Sequence, residues 1–464
     1  MPVITTRNKS AAQSRKQNMT VKKTLLASAA LVAALTTTAF AGNTPASWPM
    51  YALQPSHNAA FTSDFPAVSW TFQAPGAAAA RQAVHNNTII RDLVGFPIGV
   101  AVANDAVYAP NDNGYLYKLD AKTGKLLWSF NAYNQLMTVP VVATVAGKEL
   151  VFVGAGNSVF AFSHAKKFAT KGAQVIRGTD VSAIDAINAQ TGALVWSFKT
   201  KGEDMPSAVF DRGLLLFGNG DGHVYALDAA TGALKWKTPI KSFVSMSSAA
   251  FDPRQNIVIM GGTHPSDIVA VNAASGKLLW RVHPKNIFSS SGGDGTWAVT
   301  GNETIGQIET RTATETKNSS SEELAIDIAT GKILWSVNLG TGKSPPRNKD
   351  AVPAIAAGII YTGSPVTHQE YAIDAKSGKI LWHTPLKVGM KAAPTIVGAD
   401  IIQPTAKGAI ITLDKKTGKV LNDINFKQGG YGPQNGDVVG NTYFIGTNAG
   451  YLQAIPLTKL AVSR

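Results

Sequence analysis

A short pattern of alternating apolar and polar residues recurs along this chain. In the segment YLYKLDAKTGKLLWSF (115–130), the alternation leads into a turn containing Asp120 and Gly124, and a second apolar run then reaches Trp128. Alternation with a period of two predicts a half-buried strand. Asp hydrogen-bonds the backbone two residues on, and Gly accepts a positive φ where the chain reverses. The segment is therefore predicted to be a β-hairpin.

The same hairpin pattern, apolar-x-Asp-x-x-Thr/Ser-Gly-x-apolar-apolar-Trp, returns along the chain. Further copies, some degenerate, are found at Asn188/Gly192/Trp196, Asp228/Gly232/Trp236, Asn272/Gly276/Trp280, Asp327/Gly331/Trp335, Asp374/Gly378/Trp382 and Asp414/Gly418/Asn422. Successive tryptophans are 68, 40, 44, 55 and 47 residues apart, which indicates a unit of about 40 residues with insertions. The tryptophan is predicted to pack flat against the neighbouring unit, so we interpret this motif as scaffold rather than as chemistry.

A second pair of apolar strands precedes each hairpin, as in 97–114, 206–222, 353–365 and 394–408. Four antiparallel strands in each repeat predict a propeller blade. Innermost strands beginning near Pro97, Pro140, Pro206, Ser247, Gly295, Pro353, Pro394 and Pro433 give eight blades. The last blade lacks an outer strand, and AVSWTFQAP (67–75) supplies one, with Trp70 in the tryptophan position. The prediction is an all-β, eight-bladed propeller closed by an N-terminal strand, with an open solenoid as the alternative.

Composition and charge change this picture at the N-terminus. Residues 1–41 carry a basic start at Lys22 and Lys23, an apolar stretch and the small-x-small site Ala39-Phe40-Ala41, which predict a cleaved signal peptide. Met19 is an alternative start, with 1–18 as an upstream extension. Residues 42–464 are then a single propeller domain, either periplasmic or extracellular at the cell surface. Only 16% of the residues are charged, which suits a protein that faces acid or, alternatively, an ordinary β-rich exported protein.

The mature chain is basic and contains no cysteine. Removing the first 41 residues leaves 37 Lys and Arg against 29 Asp and Glu, a net charge of +8. This charge favours anionic small molecules; the scattered basic residues do not resemble a nucleic-acid-binding motif. The absence of cysteine excludes disulfides and a thiolate nucleophile, and the eight histidines lack metal-ligand spacing. We therefore predict no metal, no cofactor, no nucleic acid and no transmembrane anchor.

Blade topology predicts which face carries function. The motif turns lie on one face, so the loops between strands B and C and the connections between blades share the other. Both long insertions, 163–182 and 301–323, fall between strands B and C and are expected to form walls there. Cations near the innermost strands are expected to converge on an anion, and the predicted substrate-binding residues are Arg91, Arg347, Lys349, Lys391 and Tyr431.

Two carboxylates are the candidate catalytic residues. Asp294 lies in the Ser- and Gly-rich loop SSSGGDG (289–295), where glycines permit close approach of a substrate, and Asp350 follows Lys349. A carboxylate beside bound cations stays ionised in acid, available as a base or nucleophile. Each could instead be a turn-forming Asp. His264 and His368 are predicted to lie at the rim of the same face.

The repeats resemble the quinoprotein (PQQ-type) β-propeller superfamily, and WPMYALQPSHNAAF (48–61) resembles its N-terminal lead-in. Within that superfamily the size, insertions, basic character and low charge density most resemble the tetrathionate hydrolases of acidophilic sulfur-oxidising bacteria. That resemblance implies an exported hydrolase that cleaves the sulfur–sulfur bond of tetrathionate to thiosulfate, sulfate and sulfur or longer polythionates. It also implies a homodimer.

Two alternatives remain from the same superfamily. PQQ-dependent dehydrogenases use a vicinal cysteine pair that this chain lacks, and a non-catalytic scaffold in outer-membrane protein assembly has the same eight blades. For the hydrolase, the absence of cysteine leaves a carboxylate-assisted mechanism, with cations stabilising the leaving group.

Overall fold

Thirty-three strands make up almost all of the regular structure in the computed structural model. It describes residues 47–83, 90, 93–156, 182–263, 265–287, 295–312, 314–315, 317–345, 350–433 and 435–462. The strands form eight sheets, and each sheet is one blade of a propeller. The predicted all-β, eight-bladed propeller is therefore confirmed.

Blades 1 to 7 are four-stranded antiparallel sheets, and their strands follow one another in sequence from the innermost to the outermost. Blade 1 has β3 (Ala101–Ala103), β4 (Ala106–Pro110), β5 (Tyr115–Asp120) and β6 (Leu126–Asn131); blade 2 has β7 (Val141–Val145), β8 (Lys148–Ala155), β9 (Ala183–Asn188) and β10 (Leu194–Lys199). Blade 3 has β11 (Val209–Asp211), β12 (Leu214–Asn219), β13 (His223–Asp228) and β14 (Leu234–Pro239); blade 4 has β15 (Ala250–Asp252), β16 (Ile257–Gly261), β17 (Ile268–Asn272) and β18 (Leu278–Val282).

The second half of the ring repeats this order. Blade 5 has β19 (Ala298–Thr300), β20 (Glu303–Thr310), β21 (Asn318–Asp327) and β22 (Ile333–Lys343); blade 6 has β23 (Ala354–Ala356), β24 (Ile359–Gly363), β25 (Gln369–Asp374) and β26 (Ile380–Pro385). Blade 7 has β27 (Thr395–Val397), β28 (Asp400–Pro404), β29 (Ala409–Asp414) and β30 (Val420–Asn425); blade 8 has β31 (Asp437–Val439), β32 (Thr442–Gly446) and β33 (Tyr451–Pro456), with β1 (Ala60–Phe61) and β2 (Trp70–Gln73). One helix, α1 (Ala77–Ala83), and a 3₁₀ helix at Leu457–Leu460 complete the described elements.

The N-terminal strand β2 closes the ring. It pairs antiparallel with β33 and takes the place of the missing outer strand of blade 8. Trp70 occupies the tryptophan position, because its Nε1 donates to the carbonyl oxygen of Ala121 in blade 1 at 2.9 Å. The predicted closure by residues 67–75 is confirmed.

Each motif tryptophan joins its own blade to the next one. Trp128 Nε1 donates to the carbonyl oxygen of Ala189 at 3.0 Å, and its indole covers Gly192, where an added Cβ would lie 2.9 Å from the ring. The same pair of contacts is made by Trp196, Trp236, Trp280, Trp335 and Trp382. Asn422, which replaces the tryptophan in blade 7, donates to the carbonyl oxygen of Lys459. The motif is thus scaffold, as predicted.

The lead-in segment, residues 48–61, lies along the inner edges of the innermost strands. The amides of Phe210 and Val299 donate to the carbonyl oxygens of Pro49 and Pro55 at 2.8 and 2.7 Å. Further bonds link the lead-in to Val142, Ile355, Ile396 and Val438, so six of the eight blades are joined to it. The lead-in therefore runs along the innermost strands of these six blades and links them to one another.

Blade 5 carries the second long insertion as extended strands. β20, β21 and β22 have 8, 10 and 11 residues, and the insertion predicted over 301–323 lies mostly within β20 and β21. Gly342 packs against blade 6, since a Cβ there would meet the carbonyl oxygen of Val366 at 2.3 Å. The insertion is therefore ordered over most of its length, and its role as a wall stays a prediction. The first one, 163–182, lies outside the described residues except for Ser182.

Candidate functional site

A cleft of about 970 Å³ opens on the face that the topology predicts for function. Its lining comes from the loops between strands B and C and from the connections between blades, over blades 5 to 8. The residues that line it are Lys343, Ser344, Pro345, Pro365, His368, Gly389, Lys391, Ala406, Lys407, Asn425, Lys427, Gly429, Gly430, Gly432, Pro433 and Asn448. The cleft thus belongs to one half of the ring.

All of the described ionisable residues that line the cleft are basic. Four lysines and His368 line it, and no carboxylate is among the described lining residues. Glycine and proline make up much of the remaining surface, so a ligand can approach the backbone closely. Cations gathered in a concave site attract and concentrate anions. The arrangement is suited to a small anion with more than one negative charge.

Three of the seven predicted site residues fall within the described part of the chain. Arg91, Asp294, Arg347 and Lys349 lie outside it, as does His264. Lys391 and His368 both line the cleft. Tyr431 is buried between the lining residues Gly430 and Gly432, with its hydroxyl donating to Gln453 Oε1 at 2.7 Å.

The structure brings Asp350 and Lys391 to neighbouring segments. The amide of Val352 donates to the carbonyl oxygen of Lys391 at 3.3 Å, so the start of blade 6 lies alongside the start of blade 7. Asp350 is 2% exposed. Its Cβ is 3.4 Å from the place where a Cβ on Gly295 would lie, and Gly295 directly follows Asp294. Asp350 therefore lies beside Gly295, and its segment adjoins that of the cleft residue Lys391.

A buried polar group lies between blades 5 and 6, next to Asp350. Gln307 accepts a hydrogen bond from the amide of Ala351 at 3.4 Å, and its Nε2 donates to the carbonyl oxygen of Gly363 at 2.9 Å. Gln307 Nε2 also lies 3.4 Å from Glu323 Oε2. Burial raises the pKa of Glu323 to about 8, against hydrogen bonds from Gln307 and Thr362 that lower it. Glu323 is thus a neutral carboxylic acid in acidic solution.

Glu370 extends this buried group toward the floor of the cleft. It is fully buried, and burial raises its pKa well above the usual value. A Cβ built on Gly363 would lie 3.1 Å from Glu370 Oε2 and 2.5 Å from the Cβ of Met390, the residue before Lys391. Glu323 and Glu370 are therefore two buried acids with raised pKa values, and Glu370 lies near the segment that carries Lys391.

Sequence reasoning missed Lys343, Lys407 and Lys427. The expected cations were sought only where the innermost strands begin, whereas Lys343 ends β22, Lys427 follows β30, and Lys407 lies in the loop between β28 and β29. The blade topology could have predicted these lysines as cleft residues, because the ends of the outermost strands and the B–C loops lie on the same face. Glu323 and Glu370 gave no signal, because polar residues within an alternating strand normally face solvent.

The part of the chain that the structure describes shows neither a metal-binding cluster nor a helix able to cross a membrane. No group of three or more His, Asp or Glu in that part of the chain is arranged to hold a metal ion. None of the helices described there has the length and apolar character needed to cross a membrane.

The repeats and the fold define a PQQ-type repeat β-propeller. A family model described as outer membrane protein assembly factor BamB, with PQQ-type repeats, matches residues 67–168, 177–286 and 320–454, and the chain belongs to that repeat family. Within these propellers the chain belongs to the tetrathionate hydrolases. It is 30% identical over 446 residues to tetrathionate hydrolase of Acidithiobacillus ferrooxidans, covering 91% of this chain and 88% of that protein. It is 29% identical over 391 residues to tetrathionate hydrolase of Acidianus ambivalens, covering 79% and 72%.

Solved structures support the fold. BamB of Moraxella catarrhalis matches with a TM-score of 0.55 at 15% identity, over 83% of this chain and 98% of that one. A quinohemoprotein alcohol dehydrogenase of Pseudomonas putida matches with a TM-score of 0.58 at 15% identity, over 91% and 81%. At such identities the likeness concerns the fold alone.

Proposed function

We propose that this protein is an exported hydrolase that cleaves the sulfur–sulfur bond of tetrathionate. The observation that carries the proposal is a cleft with four lysines and a histidine and no described carboxylate in its lining, in a chain that belongs to the tetrathionate hydrolases. Tetrathionate is a linear dianion with a sulfonate at each end. Its net charge and small size fit a concave cationic site.

The proposed chemistry needs neither a thiol nor a redox partner. Tetrathionate and one water molecule give thiosulfate, sulfate, one sulfur atom and two protons, and this sum balances in atoms and charge. The chain contains no cysteine, so water or a carboxylate attacks sulfur. We assign the attack on sulfur, or the activation of water, to Asp294, with Asp350 as the alternate. We assign stabilisation of the leaving thiosulfate to the cations.

Substrate binding is assigned to the predicted cations and to the floor of the cleft. Lys391 faces the anion within the cleft, and Arg91, Arg347 and Lys349 are proposed to add to it. Tyr431 supports the glycines on either side of it by anchoring its hydroxyl to Gln453. Export through the signal peptide 1–41 delivers the enzyme to the periplasm or the cell surface, and a homodimer is proposed from the family resemblance.

The test is turnover by the purified chain. Tetrathionate is added at about pH 3, below the ordinary pKa of a free carboxyl group, and thiosulfate and the turbidity of sulfur are followed. Asp294→Asn and Asp350→Asn separate the two catalytic assignments, and a loss of about 100-fold or more is expected for the residue that handles the proton. A folded Asp294→Asn variant with full activity would remove Asp294 from the mechanism.

The same preparation tests the two alternatives. Full activity of protein without any quinone contradicts a PQQ-dependent dehydrogenase, for which the vicinal cysteine pair is also missing from the sequence. An absence of turnover, together with co-purification of β-barrel assembly components, would instead support the scaffold function.

A further inference from the structure

The cations of the cleft fall into two groups, which are defined by how their loops pack. Lys343, His368 and Lys391 form the first group, because the end of β22 packs on Val366 and Gly389 packs beside His368 Cδ2 and Pro365. Lys407 and Lys427 form the second. Their loops are packed backbone to backbone, since a Cβ on Gly408 would meet the carbonyl oxygen of Gly429 at 2.4 Å.

The first group is the one beside the segment of Asp350, the candidate catalytic residue that lies within the described part of the chain. The hydrogen bond from Val352 N–H to the carbonyl oxygen of Lys391 ties this group to the segment that begins at Asp350. The second group belongs to blade 7 and its connection to blade 8. The amide of Ala406 donates to the carbonyl oxygen of Gly389 at 3.3 Å, which joins the two groups side by side in one cleft.

A single side chain positions both lysines of the second group. Asn425 Nδ2 donates to the carbonyl oxygen of Lys407 at 3.0 Å, and its Oδ1 accepts from the amide of Lys427 at 2.8 Å. Two separate loops are therefore held together at the residues that carry the charges. Within the described residues, neither Lys407 nor Lys427 forms an ion pair with a carboxylate. Their ammonium groups are available to an anion in the cleft.

We propose that Lys407 and Lys427 form a distal subsite for the second sulfonate of the substrate, with Asn425 as its positioning residue. The inference rests on the proposed function and adds a rule of specificity. One sulfonate binds at the first group, which contains Lys391, beside the proposed catalytic carboxylates. The other sulfonate binds at the distal subsite. The uncharged sulfur chain between them crosses the glycine- and proline-lined middle of the cleft. The site therefore selects linear anions that carry a charge at each end.

Direct binding tests the subsite without depending on turnover. Ethane-1,2-disulfonate replaces the central disulfide of tetrathionate by two methylene groups and cannot be hydrolysed, whereas ethanesulfonate has only one charged end. Calorimetric titration of the full chain at acidic pH is expected to give much tighter binding of the disulfonate. Lys407→Met and Lys427→Met are each expected to weaken it about five- to tenfold and to leave ethanesulfonate binding unchanged.

Two further variants separate the subsite from general charge effects. Lys419→Met removes the same charge from the motif turn of blade 7, on the opposite face, and is expected to alter neither affinity. Asn425→Ala is expected to weaken disulfonate binding with all lysines retained. In turnover assays the distal variants are expected to raise KM with little change in kcat, because the subsite does not touch the reacting sulfur.

The outcomes distinguish this inference from the proposed function. Wild-type turnover of tetrathionate with unchanged disulfonate affinity in Lys407→Met and Lys427→Met would overturn the distal subsite and leave the hydrolase intact. Equal losses of affinity for the disulfonate and the monosulfonate would also overturn the distal subsite. The two lysines would then attract any anion and would not recognise the second sulfonate. Selective loss of disulfonate binding without wild-type turnover would support the subsite and contradict the hydrolase.

Discussion

The indole of Trp70 covers Gly124, and this contact joins the last blade to the first. A Cβ added at Gly124 would lie 2.6 Å from the ring, and the φ of Gly124 is +70°. The position therefore needs glycine both for the backbone conformation and for the close approach of the ring. The repeat places the same pair at each of the other described tryptophan seams, whereas this one joins blade 1 to blade 8, in which β2 pairs with the C-terminal strand β33.

Gly124→Ala is expected to destabilise the protein by about 2–4 kcal/mol, because overpacking adds to the cost of a left-handed backbone at alanine. Chemical denaturation of purified variants measures the change. Gly147→Ala is the matched control: its φ is +78°, and nothing lies within 4 Å of the added methyl group. Equal losses for the two variants would show that the Trp70 contact contributes no steric constraint.

Stability is expected to be highest in acid and to fall as the pH rises. The pKa values of Asp204, Glu370 and Asp437 are raised well above their usual range by burial, and that of Glu323 is raised to about 8. An acid with a raised pKa stabilises the fold fully below its unfolded-state pKa, and this stability is lost as the pH rises through the folded-state value. The denaturant concentration at the unfolding midpoint is expected to decrease as the pH rises from about 4 to about 8.

Glu323→Gln tests this mechanism at one site. The amide is neutral at every pH, so the variant is expected to lose less stability between about pH 4.5 and 8, by up to about 1.4 kcal/mol per pH unit. Asp374→Asn is expected to change the pH dependence of stability in the opposite direction. The hydrogen bond from Ser377 lowers the pKa of Asp374, so its contribution is present above its unfolded-state pKa and disappears as the pH falls. A Glu323→Gln variant with the wild-type pH profile would contradict the assignment of a neutral acid.

Lys391→Met is expected to raise KM for tetrathionate about fivefold or more, because one cation beside the reacting end is lost. The wild-type KM is also expected to rise with added salt, since the Debye length falls to about 10 Å at 0.1 M ionic strength. Initial rates at several salt concentrations measure both effects. A KM that is independent of ionic strength would argue against a cleft that binds its substrate by charge.

Asn58→Ala is expected to destabilise the ring by about 1–3 kcal/mol, because it leaves buried backbone groups unpaired. Asn58 Oδ1 accepts from the amide of Ile396 at 2.8 Å, and its Nδ2 donates to the carbonyl oxygen of the same residue at 3.2 Å. Asn302→Ala, in the exposed turn between β19 and β20, is the control for replacing an asparagine. Similar losses in the two variants would show that the lead-in adds no specific stability.

The sequence was sufficient to predict the fold because each copy of the motif makes the same local interactions. Each hairpin needs the same turn residues, and Trp128 or Trp196 needs a glycine in the next blade, so seven copies of one pattern define the ring. The closing strand was recognised for the same reason, since Trp70 stands in an apolar run of the right length. Local patterns repeated many times leave few other folds open.

The site was less predictable, because it depends on loops that share no pattern. Lys391 was found from its place before an innermost strand. Lys407 and Lys427 were not, since a lysine near a strand end is usually a solvated surface charge. Their common cleft follows from the packing of Gly408 on Gly429, which is a contact between two loops that only the three-dimensional structure reveals.

The lead-in has a consequence for how the protein is made. Its residues leave the ribosome before any blade, yet their partners include Ile396 and Val438, which are synthesised near the end of the chain. Until those partners arrive, part of the lead-in's polar backbone has only water to bond with. A truncated polypeptide that lacks these partners therefore has an incomplete centre, and we expect proteases to cleave it faster than the full-length chain.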